Sequence, residues 1–417
     1  MKKRFLFIFI VLMILLVLNC SLQGGNDEIS FIELLKLTAG DAENLDRFGI
    51  SVAIAGDYAI VGACEADNDR GAAYIYYRNQ GGADKWGEVI KLTAGDAEDG
   101  DLFGGSVSVA GDYAIVGASF EDGEGSERGA AYIFDRNKEG EDNWGEVTKL
   151  TASDAADYDG FGNSVSAAGD YVIVGSCGAD SGRGAAYIYY RNQGGADNWG
   201  EVTKLTASDA ADYDGFGNSV SAAGDYVIVG SCGADSGRGA AYIFYRNGGG
   251  EDNWGEVTKL TASDAAGDDY FGISVSIAGD YIIVGAYGED GSGSERGAAY
   301  IFYRNDGGEV TKLTASDAED VDLFGYAVAI SGDFAIVGAF YEDGTGNNNC
   351  GAAYIYYRNQ GGADNWGEVT KLTASDAADA DWFGSIVAMT EDYAIVGACG
   401  EDGAGVERGA AYIYEKE

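Results

Sequence analysis

The residues of this chain that could do chemistry are carboxylates, and they recur at fixed spacing in two sets of connecting segments. One set reads Asp154, Asp157 and Asp159, then Asp209, Asp212 and Asp214, then Asp317, Glu319, Asp320 and Asp322; the other reads Glu121-Asp122, Glu289-Asp290, Glu342-Asp343 and Glu401-Asp402. Crowded carboxylates on loops that offer only oxygen suit a hard cation such as Ca²⁺ better than a softer metal. They equally suit a basic partner, and a pair of them could support glycosidase-type hydrolysis. The plainer reading is that Asp and Gly form turns and keep the surface soluble.

The rest of the inventory argues against catalysis. The 417 residues contain no histidine, which removes the commonest general base and the commonest zinc ligand together. No CxxC pair, GxSxG elbow or phosphate-binding loop occurs, and the Gly-rich stretches read as turns. With 26 basic against 69 acidic residues and a net charge of −43, the balance is opposite to what phosphate neutralisation needs, so nucleic acid is excluded as a partner.

The elements that position these carboxylates repeat along the chain. Phe-Gly pairs open at Phe48, Phe103, Phe161, Phe216, Phe271, Phe324 and Phe383, a period of about 53 to 59 residues that suits a propeller blade rather than a solenoid coil. The unit that starts at Phe161 divides into four strand-forming runs: FGNSVSAA, DYVIVGS, GAAYIYYRN and EVTKLTA. The first two are joined across Gly169-Asp170, a tight-hairpin pair. The second and third runs are almost continuously apolar, as strands covered on both faces are. The first carries Gly, Ser and Ala, which fit the crowded axis of a tapering ring.

The chain begins and ends partway through a unit. Residues 31 to 39 match a fourth strand with nothing before it, and 409 to 417 a third strand with nothing after it. The expected fold is therefore an all-β, seven-bladed propeller of four antiparallel strands per blade, spanning 31–417. It closes by pairing the N-terminal strand (31–39) with the last blade (383–417), which removes two open sheet edges. Up-and-down blades place both acidic sets on one face. Residues 149–203 and 204–258 are nearly identical, differing at places such as Tyr189 against Phe244 and Gln193 against Gly248. Such repetition offers the same groups over and over, which favours binding or scaffolding over the unlike residues a catalytic centre needs.

The segments FGNSVSAAGDYVIVG and KLTASDAADYDGFG resemble the FG-GAP repeat of integrin α-subunit propellers and of many bacterial surface proteins, over roughly residues 31 to 417. The resemblance implies an extracytoplasmic seven-bladed propeller, with ligand binding on the face that carries the acidic connections. Two departures limit what carries over. The family's Gly-Ala-Pro is replaced by Gly-Ala-Cys64, Gly-Ala-Ser119, Gly-Ser-Cys177, Gly-Ala-Tyr287 and Gly-Ala-Phe340, and the chain has no proline. Calcium-binding copies in the family insert a DxNxDGxxD-type loop between the first two strands, where this chain has only Ala-Gly-Asp-Tyr. No cofactor is expected, and the family's calcium site is not carried over; Ca²⁺ at the acidic loops stays open as a separate reading.

The N-terminus carries Lys2, Lys3 and Arg4, then an apolar run from Phe5 to Leu18, then Asn19-Cys20. That pattern reads as a secretion signal over 1–19, too short for a comfortable membrane span. Leu-Val-Leu-Asn-Cys20 resembles a bacterial lipobox, so Cys20 is the expected lipidation site and 20–30 a polar tether. An ordinary cleaved signal or an uncleaved anchor is the alternative. The expected location is the bacterial cell envelope, lipid-anchored, at the outer membrane or cell surface rather than the inner membrane, because Ser21 lacks the acidic character of an inner-membrane retention signal.

Three further sets recur. Arg128, Arg183, Arg238, Arg296 and Arg408 precede Gly-Ala-Ala-Tyr, with Arg70 equivalent and Cys350 in their place once; bracing against loop acids such as Glu127, Glu295 and Glu407 is favoured over anion binding. Trp86, Trp144, Trp199, Trp254 and Trp366 stand before the fourth strand, on the opposite face, where packing over the blade edge is favoured over stacking on sugars. Cys64, Cys177, Cys232 and Cys399 share one blade position and are expected as buried free thiols, because packed sheets sit too far apart for disulfides. The combined expectation is a non-catalytic, membrane-anchored interaction or adhesion module. A lectin is the alternative and a carboxylate hydrolase the third reading. Any asymmetric site would have to involve outliers such as Trp382, Met389, Glu391 and Cys350.

Overall fold

A computed structural model describes residues 29–417, apart from 124, 292, 344–347 and 404. The expected signal segment and Cys20 lie outside the described residues. The described chain forms seven four-stranded antiparallel sheets. In the third, strands Ser164–Ala168, Tyr171–Ser176, Ala185–Tyr190 and Gly200–Leu205 run in sequence order from the axis outward. Ala168 pairs with Tyr171 across the hairpin, and Gly169 takes φ +60°, the conformation that lets two residues reverse the chain.

Alternation along the middle strands sends side chains to both flanking blades. Val172, Val174, Tyr187 and Tyr189 pack with Ile115 and Ile133 of the blade before, while Ile173 and Ile188 pack with Val227, Val229 and Tyr242 of the blade after. Every interface between blades is thus its own small core, and the ring is held by seven of them. The inner strands are also tied to one another around the axis: Ser106 Oγ donates to Gly162 O at 2.8 Å, and Ser164 Oγ to Gly217 O at 2.9 Å.

In six blades the Phe-Gly pair stands before the inner strand and does not begin it as the sequence suggested; in the seventh the strand does start at Phe383. Phe161 makes a lone parallel bridge to Gly129 of the preceding blade, is wholly buried, and meets Tyr187 edge-on at 5.5 Å. Gly162 follows at φ +92°, where a Cβ would stand 2.2 Å from Ala130 O, so only glycine lets the two blades approach this closely. The pair is a clasp between blades.

Closure is as expected. Phe31–Leu37 pairs antiparallel with Ala410–Lys416, from Phe31 opposite Lys416 to Leu37 opposite Ala411, and completes the sheet built from Phe383–Met389 and Tyr393–Ala398.

The recurrent tryptophans are structural. Each is buried, and each meets a second-strand tyrosine of the preceding blade edge-on where one is present, as Trp144 does Tyr58 at 5.8 Å and Trp199 does Tyr113 at 5.2 Å. An arginine also covers that tyrosine, at 5.1 to 5.8 Å where the Trp is present, and in the fifth blade, which lacks the Trp, Arg304 comes to 4.4 Å of Tyr226.

Candidate functional site

The two acidic sets meet at one end of the ring, because a lysine on the fourth strand bridges the connection between blades and the connection between strands two and three. Lys204 Nζ lies 2.8 Å from Asp154 and 2.8 Å from Asp180, and the Tyr187 hydroxyl donates to Asp154 at 2.8 Å. The same lysine staple recurs around the ring on Asp41, Asp96, Asp209, Asp264, Asp317 and Asp376. The lysine's second carboxylate is Asp67, Asp180 or Asp235 in three blades and Glu121, Glu289, Glu342 or Glu401 in the other four. Desolvation works against ionising Asp154, but hydrogen bonds from Lys204 and Tyr187 outweigh it and hold the carboxyl below its ordinary pKa. One cation between two anions leaves each staple one negative charge in excess.

The remaining carboxylates singled out in the sequence also serve the fold. Asp157, Asp212 and Asp320 pair with Arg128, Arg183 and Arg296 at 3.0, 2.8 and 2.9 Å. These three arginines, and Arg70 with Asp99 at 2.8 Å, therefore brace the strand entry, but against an aspartate of the following connection; of the glutamates expected as partners, Glu407 instead pairs with Arg47 at 3.1 Å. Asp159, Asp214 and Asp322 are buried and accept the N–H groups of Ala156, Ala211 and Glu319. Asp122, Asp290, Asp343 and Asp402 accept the N–H groups of Glu127, Glu295, Asn349 and Glu407 within their own loops. Burial, reinforced by the nearby Glu342 and Glu401, pushes Asp322 and Asp381 up to about 6. Glu121, Glu289 and Glu342 each keep one buried carboxylate oxygen without a hydrogen-bond partner.

The residues between the first two strands do not fit a calcium ion. Each turn contributes one aspartate, and that carboxylate is already paired: Asp57 with Arg78, Asp112 with Arg136 and Asp333 with Arg358, at 3.2, 2.7 and 3.0 Å. Among the described residues no group of three or more acidic or thiol side chains could hold a metal.

At the axis, on the same end as the acidic connections, the inner strands enclose a cavity of about 650 Å³. Its wall is polar toward the third and fourth blades, where Asn163, Ser164, Asn218 and Ser219 face it, and aromatic toward the sixth and seventh, where Tyr326, Phe340 and Trp382 do. Among the described residues Arg47 is the one charged residue in the wall, held between Glu65 and Glu407 at 3.1 Å from each. Cys64, Cys177, Cys232 and Cys399 occupy the position equivalent to Phe340 in their blades and are free thiols. Burial pushes Cys64 up to about 12 and Cys232 to about 11, so they are poor nucleophiles.

The FG-GAP repeat family model matches seven stretches of the chain: 31–76, 86–134, 144–189, 199–244, 254–302, 308–356 and 366–414. The chain belongs to the FG-GAP repeat family. No curated protein matches it.

In this FG-GAP protein the family repeat is offset from the structural blade, since each matched stretch starts near an outer strand and ends in the third strand of the next sheet. Of the outliers noted in the sequence, only Trp382 lines the axial cavity; Met389 and Cys350 are buried, and Glu391 lies at the opposite end, where its carbonyl accepts from Lys416. Tyr326 was missed, and Phe340 was noted only as a departure from Gly-Ala-Pro and not as a site residue. Aligning the blades by their Phe-Gly pairs would have found them, since Tyr326 stands where Asn163 and Asn218 do, and Phe340 where Cys177 and Cys232 do.

Proposed function

We propose that this FG-GAP propeller is a non-catalytic interaction module of the bacterial envelope. It is tethered by a lipid on Cys20, at the outer membrane or cell surface, and engages a protein ligand through the end of the ring that carries the acidic connections. The observation that carries the reading is the use of the repeated carboxylates. Lysine, arginine, tyrosine and backbone partners occupy the aspartates and glutamates that a hydrolase would need free, and they leave an excess of negative charge suited to a basic partner surface. No cofactor enters this reading.

The test is cross-linking capture from the native envelope, comparing the full-length protein with a Cys20→Ser form and with a form carrying lysine at the exposed loop positions Asp122, Asp290 and Asp402. A partner lost with the loop changes, and membrane association lost with Cys20→Ser, are the expected outcomes. Capture unaffected by the loop changes would place the binding surface elsewhere. Turnover of a glycoside by the purified protein would replace the reading with the hydrolase.

A further inference from the structure

The aromatic residues that line the axial cavity are gathered on one side of the ring. Immediately before each Phe-Gly pair the backbone is left-handed: glycine stands there in two blades, Gly160 at φ +60° and Gly215 at +64°, and a bulky residue in the other five, Arg47, Leu102, Tyr270, Leu323 and Trp382, at φ +52° to +56°. A bulky side chain in that region is disfavoured by one or more kcal/mol, a strain that five blades share, and of these five residues Arg47 and Trp382 are the ones that line the cavity. The adjoining blade adds two more replacements, Tyr326 for asparagine and Phe340 for cysteine. Tyr326 is 37% exposed, so these rings are not simply extra core. Three aromatic substitutions on two neighbouring blades converge on one cavity wall.

The rest of the wall sets uncharged hydrogen-bonding groups among valines such as Val165, Val220 and Val275. Ser164 and Ser219 donate their hydroxyl protons to Gly217 O and Gly272 O, which leaves lone pairs free to accept. Ser221, Ser274 and Ser276 instead accept from the N–H groups of Ile277, Val328 and Ile330, which leaves their protons free to donate. Among the described residues no carboxylate lines the cavity, and Arg47 is neutralised by two glutamates. The site therefore offers no unpaired charge to hold an ion, so a cation there would have to be held by the aromatic rings alone. An aromatic wall facing a wall of uncharged donors and acceptors matches a molecule with an apolar face and a hydroxyl-bearing edge, and a cavity of about 650 Å³ falls in the range of small-ligand sites.

We infer that the axial cavity is a binding site for a neutral saccharide, its ring stacked on Trp382 or Tyr326 and its hydroxyls turned to the serines of the third to fifth blades. This goes beyond the protein-interaction reading and does not depend on it, since the loop surface and the cavity are altered by different substitutions.

Trp382 supplies the signal, because the other five tryptophans are buried at 8% exposure or less. The full-length protein is titrated with methyl hexosides, N-acetylglucosamine and their short oligomers, following intrinsic fluorescence and saturation-transfer NMR. The expected result is saturable binding of at least one of these sugars, weakened about tenfold or more by Tyr326→Asn and by Phe340→Cys, and by Trp382→Gly in the NMR readout. Each substitution installs the residue that a sister blade already carries, so folding is preserved, and an unchanged melting curve checks it. Absence of binding by the whole panel, sugar binding that all three variants retain, or occupation of the cavity by tetramethylammonium in preference to the sugars would each overturn the inference.

Discussion

The acidic rim and the axial mouth share one end of the ring but follow opposite rules. Around the rim the Tyr-Asp-Lys arrangement recurs without exception, with the same 2.7 to 2.8 Å contacts between each lysine and its tyrosine-bound aspartate. At the mouth, equivalent positions hold Asn163, Asn218 or Tyr326, and Cys177, Cys232 or Phe340. Groups kept identical are those every blade needs to stand against its neighbour. A group that differs in one blade cannot be a requirement of the blade.

Substitutions should separate the two regions. The largest effect is expected at the clasp: Phe161→Ala empties a wholly buried position between blades and should cost about 3–5 kcal/mol, seen as a lowered denaturation midpoint. A loss below 1 kcal/mol would mean that the blades are held without it. At the rim, Lys204→Met removes one cation from two carboxylates and should cost about 1–2 kcal/mol, the partial exposure of the lysine limiting the loss.

The pH dependence of melting tests the buried carboxylates. Asp322 and Asp381 titrate near 6 in the folded protein against an ordinary value of 3.8, so the fold binds those protons more tightly than the unfolded chain. Stability should therefore rise as pH falls through about 6 and level off near 4. The staple aspartates, held below 3.8, act in the opposite sense: their contribution is present above that value and is lost as pH falls through their folded values. The melting temperature should peak on the acid side of neutrality, and Asp322→Asn should flatten the rise. A melting temperature that falls steadily from pH 7 downward would contradict this assignment.

The smallest effect is expected at the mouth. Trp382→Gly relieves a left-handed tryptophan and loses only a partly exposed ring, so stability should stay within about 1 kcal/mol of the parent. A large loss would make Trp382 a structural residue and erase the contrast between rim and mouth.

Blade number and closure were legible because they rest on local signals: Gly-Asp turns, apolar runs and two end fragments that sum to one blade. The partners of the acids were not legible. Asp154 and Lys204 are a full repeat apart, and what joins them is the stacking of successive blades, which no local pattern encodes. Phe-Gly was read as the start of a strand because its residues suit one, whereas the contact to Gly129 of the neighbouring blade decides its role. Tyr326 and Phe340 escaped notice as site residues because each adjoins an apolar run in which an aromatic residue is unremarkable; the geometry of the axis gives them their significance.

Six of the sheets are built from consecutive chain, but the seventh must join Phe31 to Lys416. Assembly can proceed in order from one end, yet the final step waits until the last strand has been made, and it carries the entropic cost of bringing the two ends together. Until then the first strand is unpaired and the last blade has an open edge, so the interval before closure is when the chain is most exposed to aggregation and proteolysis. A shortened final strand should therefore reduce the yield of soluble protein more than an equal deletion in any loop.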